Sequence, residues 1–159
     1  MPNHCYQQVR IEGVHKLVRL LWNGLTENGF ENGCAKNPQF NQLIIPMPFE
    51  LWDGAECDWY DWRNENWNTK WDVCQVEIVE EITRENYTEF SFDAYTKYWF
   101  TFKCWTAWAP PVPVWQTLYK MGIEVNASYE DEGGGFEGTF IEGKNKSWRP
   151  YLKEVVSNG

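Results

Sequence analysis

No uninterrupted apolar run in this chain approaches the roughly 20 residues that cross a bilayer, and no charged-then-apolar leader precedes MPNHCYQQVR. The sequence therefore predicts a cytosolic protein with no membrane partner. Histidine is scarce: of the two present, only His4 lies beside a cysteine, and an adjacent His4–Cys5 pair cannot close a tetrahedral metal site. Five cysteines (Cys5, Cys34, Cys57, Cys74 and Cys104) form an odd set without a C-x-x-C pair, which reads as free thiols in a reducing compartment. In that compartment the sequons at Asn86, Asn126 and Asn145 have no meaning. Walker, zincin and nucleophile-elbow patterns are absent. GGGFEG at 133–138 fits G-x-G-x-x-G, but EDE precedes it and a strand-like aromatic run follows, so it reads as a hairpin turn and not a phosphate loop. None of the 23 carboxylates stands out as part of a tuned pair. The expectation is a protein with no metal, no cofactor and no enzymatic activity.

Positive charge is also in short supply, and unevenly so. The net charge is −9, and residues 50–93 hold 13 Asp/Glu against 3 Lys/Arg, leaving the rest of the chain near neutrality. Phosphate backbones are bound by neutralising them with cations, so a role coating long DNA or RNA is disfavoured.

What is abundant is tryptophan, with 11 in 159 residues. Trp59, Trp62, Trp67 and Trp71 crowd into DWYDWRNENWNTKWD at 58–72 among charged neighbours. A tryptophan buries a large apolar ring and carries an N–H that needs an acceptor, so such a cluster serves either a core or a partly exposed binding surface. Four rings at these spacings cannot share one helical stripe. The expectation is that a helix begins near Trp59 and ends near Trp67, with Trp67 inside and Trp59 and Trp62 at a rim.

Hydrophobic periodicity orders the rest. Residues 5–11 alternate, Cys5, Val9 and Ile11 opposing Tyr6 and Arg10, as a strand; Val14, Leu17, Val18, Leu21, Trp22 and Leu25 repeat as an amphipathic helix. TENGFENGCAKNP reads as a loop, and FNQLIIPMPFELWDG as an extended segment broken by prolines. Then come a strand with Cys74, Val76 and Ile78 on one face, and antiparallel strands at 89–95 and 98–105 joined near Thr96–Lys97. Phe100, Phe102 and Cys104 point inward, leaving Trp99, Thr101, Lys103 and Trp105 outward. A proline-started helix with Val114, Trp115, Leu118 and Tyr119 buried, a strand over Ile123–Tyr129 and a strand over Phe136–Ile141 complete the chain. The order predicts one α+β domain over residues 1–159. It is a ferredoxin-like antiparallel sheet with two main helices packed on one face and a Trp-rich insertion at about 37–72.

MPNHC, FNQLIIPMP at 40–48, WYDWRNENWNTKWD at 59–72 and TAWAPPVPV at 106–114 together resemble the YubB-like proteins, a family named for a ferredoxin-like domain and carried by plasmids, phages and genomic islands. Where that family usually reads N-W-G-T-K-W, this chain has Asn68, a residue that also tolerates a left-handed conformation. The resemblance implies a fold and a setting in the cytosol of a host cell. By analogy with other small accessory proteins of mobile elements, it implies an antagonist of host defence.

These strands of reasoning converge on a non-enzymatic binding protein. Trp59, Trp62, Trp71, Trp105 and Trp108 would build a partly exposed pocket, with Arg63, Asn66 and Lys70 supplying polar contacts. The expected guest is small, planar and phosphorylated, such as a cyclic nucleotide, because stacking contributes on the order of 1–3 kcal/mol per base without a basic groove. The alternative is an acidic inhibitor or nucleic-acid mimic that docks on a basic host protein. Either is compatible with a homo-oligomer.

Overall fold

The computed structural model describes residues 3–14, 16–51, 58–85 and 96–149. Its centre is a six-stranded, wholly antiparallel sheet. The strands are β1 (His4–Gly13), β4 (Cys74–Arg84), β5 (Tyr98–Ala107), β6 (Glu124–Asp131), β7 (Glu137–Ile141) and β8 (Lys144–Trp148), in the order β4-β5-β1-β6-β7-β8. A two-residue ribbon, β2 (Phe30–Glu31) with β3 (Cys34–Ala35), forms a separate small sheet beside β4. Four helices are found among the described residues: α1 (Lys16–Thr26), α2 (Asn41–Ile44), α3 (Asp58–Trp67) and α4 (Val112–Lys120), with a 3-10 turn at Phe49–Leu51.

The period-two pattern of the strands sets the layers. Along β1, Cys5, Gln7, Val9 and Ile11 are buried, and across the ladder they align with Thr106, Cys104, Phe102 and Phe100 of β5 and, from Gln7 on, with Tyr129, Ala127 and Val125 of β6. α1 and α4 both cover this face. Val18, Leu21 and Leu25 of α1 and Val114, Trp115 and Leu118 of α4 are sealed against it, and Trp22 meets Phe100 while Trp115 meets Phe140. The one buried polar side chain of β1 is satisfied: Gln7 donates to Thr106 Oγ1 at 2.5 Å and accepts from Cys104 Sγ at 3.3 Å. Leaving such a group unpaired would cost about 1–3 kcal/mol.

Several expectations change. β5 pairs with β4 on one side and β1 on the other; the expected strand at 89–95 lies outside the described residues. Gln75 adopts φ 50° and bulges out of the β4–β5 ladder, which sets Cys74 opposite Trp105 and off the face that Val76 buries. Tyr119 is exposed rather than buried, because one turn of the short helix α4 already supplies Val114, Trp115 and Leu118 to the core. Val14 also faces solvent, ahead of the first turn of α1. Helix α3 ends at Trp67, which is sealed and donates its Nε1–H to Ile45 O at 2.8 Å, as its burial demands.

The segment after α3 is a knot of hydrogen bonds. Asn68 takes φ 65° and donates to Pro110 O; Thr69 Oγ1 donates to Ala107 O and accepts from Ala107 N, both at 3.0 Å. Asp72 accepts four backbone N–H groups, from Phe40, Asn41, Gln42 and Val73, and so caps α2. Asn3 O accepts from Trp108 N. Asn3, residues 40–42, residues 67–72 and residues 107–110 thus meet in space. Most of their polar residues have a structural task there.

Candidate binding site

The opposite face of the sheet is covered by no described helix. It presents Tyr6, Gln8, Arg10 and Glu12 on β1, Trp99, Thr101, Lys103 and Trp105 on β5, and acidic side chains on the flanking strands. Because the strands twist, this face curves. A concavity of about 650 Å³ opens over its upper half, lined by Tyr6, Trp105, Trp148, Glu77, Lys103 and Glu130, with Glu137 beside Trp148. That volume lies within the roughly 300–1,000 Å³ range of small-ligand sites.

Register explains how the rings meet. Tyr6 and Trp105 are direct cross-strand partners on the two central strands, with ring centroids 5.3 Å apart at 51°. Such pairs contribute roughly 0.2–1 kcal/mol to the sheet and leave the outer ring faces to solvent. Trp148 closes the far wall, its Nε1–H held by Glu137 Oε1 at 2.5 Å. Above Trp105 the aromatic line continues: His4 lies 4.7 Å from Trp105 and 5.8 Å from Trp71, and its Nδ1 is 3.1 Å from Glu132 Oε2.

The eight residues expected to form the pocket divide into two groups. Trp59, Trp62, Arg63 and Asn66 stand on α3 and serve its packing. Trp59 and Trp62 pack on the core, Trp62 meeting Trp67 edge-on at 5.6 Å; the Arg63 guanidinium sits 5.1 Å from both the Trp59 and Trp67 rings and donates to Lys70 O; Asn66 bonds back to Trp62 O. Burial lowers the Arg63 pKa, and the nearby Asp72 carboxylate opposes that shift. Lys70, Trp71, Trp105 and Trp108 gather instead at the upper end of the sheet, with Lys70 Nζ 5.3 Å from the Trp71 ring and 5.1 Å from the Trp108 ring. Of the eight, Trp105 alone is among the residues lining the concavity described above.

Trp108 is half exposed at φ 67°, a left-handed conformation that costs a bulky residue on the order of 1–3 kcal/mol. The Asn3, Asn68 and Thr69 bonds on either side hold the backbone there.

Sequence reasoning missed Tyr6, Trp148, Glu130 and Glu137, and gave the acidic side chains of β4 a part only in the alternative of docking on a basic protein. Tyr6 was legible as the outward residue of the first strand; that its neighbour would be Trp105 depended on strand pairing. Trp148 lies on a strand with no apolar alternation, and every residue of β8 is exposed.

Chemically, the thiols offer little. Burial pushes Cys5 up to about 12, Cys104 well above the ordinary thiol value and Cys74 upward, so none of the three presents a thiolate near neutral pH. Burial also raises the Asp72 carboxyl, against the pull of its four N–H donors. Among the described residues no group of three or more His, Cys, Asp or Glu is placed to hold a metal ion, and no helix is long and apolar enough to cross a membrane.

The architecture is thus an α+β sheet with one covered and one open face. No protein-family model matches the chain, and no curated protein or solved structure is found to be similar to it.

Proposed function

We propose that this chain is a non-enzymatic binding protein that takes a small planar guest on the open face of its sheet, against Tyr6 and Trp105. The observation that carries the reading is the concavity itself: a cross-strand aromatic pair at the floor, an indole at the wall and polar groups around them, on a face that no described helix covers. The reading keeps the stacking expected from the sequence and moves its centre from the α3 tryptophans to the strands.

The strand order β4-β5-β1-β6, with α1 between β1 and β4 and α4 between β5 and β6, supports a ferredoxin-like split βαβ arrangement with residues 37–72 as its insertion and β7–β8 as an added hairpin. That arrangement agrees with the YubB-like resemblance and with an accessory role in a mobile element. A second reading, docking of a basic host protein, is favoured by the acidic side chains that β4 and β6 present on the same face.

Calorimetric titration with a panel of planar guests, cyclic nucleotides included, tests the proposal. A guest binding more tightly than about 100 μM, or −5.5 kcal/mol, is expected. Its affinity should fall at least tenfold in Trp105→Ala and stay unchanged in Trp59→Phe. Absence of binding across the whole panel sinks the reading.

A further inference from the structure

The charges around the concavity are unequal. Glu77 on β4 stands across the ladder from Lys103, yet the two make no ion pair, and among the described residues neither Glu77 nor Glu130 has a side-chain partner. Glu137 commits one oxygen to Trp148 Nε1 and retains the other. Three carboxylates thus face one ammonium across a partly desolvated hollow, where Coulomb terms exceed their value in bulk water. The ring faces add to the same field, because an aromatic face is the negative pole of its quadrupole. The Tyr6 phenol pKa is raised first by desolvation, then by Glu132 beside His4 and by Glu130 of this hollow.

A phosphate placed here would meet three carboxylates, and only Lys103 would oppose their repulsion. A cation would meet aromatic faces and unpaired carboxylates together, a combination that contributes about 0.5–2 kcal/mol from the ring interaction alone. Planarity and positive charge are satisfied at once by an amidinium, a guanidinium conjugated to a ring, or a protonated heteroaromatic base. We propose that the guest of this site is a small planar cation, stacked on Tyr6 and Trp105 with its N–H groups directed at Glu77, Glu130 and Glu137. The inference rests on the binding reading above and adds the sign of the guest's charge.

The test uses three tricyclic rings of similar shape on the full chain: 9-aminoacridine, a cation at neutral pH; acridone, neutral; and acridine-9-carboxylate, an anion. Calorimetry should show the cation binding at least tenfold more tightly than the neutral ring, with the anion weakest. Raising the salt from about 20 to 300 mM should weaken the cation several-fold and leave acridone nearly unchanged. Glu130→Gln, at an exposed position that leaves folding intact, should weaken the cation about threefold to tenfold and acridone hardly at all. Trp105→Ala, checked by circular dichroism for folding, should abolish stacking of every ring. Equal or tighter binding of the neutral or anionic ring overturns the charge inference and leaves the binding reading standing. Cation binding that survives Trp105→Ala shows diffuse attraction to an acidic protein and overturns the inference too. If no ring of any charge binds, the binding reading itself falls and this inference with it.

Discussion

The two faces of the sheet are built from the same strands and have opposite fates. On the covered face, Val9, Ile11, Phe100, Phe102 and Phe140 are fully buried and two helices and a buried Trp115 lie over them. On the open face, one residue along each strand, Tyr6, Lys103, Trp105 and Glu130 remain in reach of solvent. Tryptophan serves both faces, so its abundance says nothing about function until strand register assigns each ring to a side. Trp67 and Trp115 are structural by burial and by the Trp67 N–H bond to Ile45 O. Trp105 and Trp148 keep accessible surface beside a concavity.

Substitutions on the two sides should separate sharply. Trp67→Ala removes a sealed ring and leaves Ile45 O without its donor; a loss of about 3–5 kcal/mol in chemical denaturation is expected. Asp72→Ala strips the acceptor from four backbone N–H groups and should cost about 3 kcal/mol, with Asp72→Asn losing less because one amide oxygen remains. Trp105→Ala should cost under about 2 kcal/mol in stability, while removing guest binding. If Trp105→Ala unfolds the chain as Trp67→Ala does, the distinction between faces is wrong.

Thiol chemistry sharpens the same contrast. Cys5 and Cys104, sealed on the covered face with raised pKa values, should resist iodoacetamide at pH 8 in the folded protein and react only on unfolding. Cys34, half exposed on the β2–β3 ribbon, should react first among the four described cysteines. The smallest expected effect on stability is that of Glu77→Lys with Glu80→Lys on β4: a change within about 0.5 kcal/mol for exposed positions, with loss of any salt-sensitive capture of a basic partner.

Much of the fold was legible because its core elements carry strong periods. β1, α1, α4, β6 and β7 announce themselves by alternation, by a helical stripe or by proline and glycine at their ends, whereas the end of α3 was legible only because Trp59, Trp62, Trp67 and Trp71 cannot share one stripe. The β2–β3 ribbon also had a signal, Asn32–Gly33 between short runs, and both residues do adopt positive φ; it was lost in a stretch dominated by loop residues. β8 could not be read, since its pairing with β7 depends on the tight turn at Glu142–Gly143 and on no apolar pattern of its own. The site was less legible than the fold. DWYDWRNENWNTKWD drew attention by ring density, but Arg63 between two indoles, Asn66 on Trp62 O and Asp72 beneath α2 show how much of that segment is spent on packing α3 and capping α2. A cross-strand pair such as Tyr6–Trp105 joins residues nearly a hundred positions apart, and only register reveals it.

Hydroxyl-radical footprinting with and without saturating 9-aminoacridine addresses the central claim most directly. Protection should appear at Tyr6, Trp105 and Trp148, with Trp59 and Trp62 oxidised at unchanged rates. Protection concentrated on Trp59 and Trp62, with Tyr6 and Trp105 unaffected, would place the guest on the helix and contradict the account.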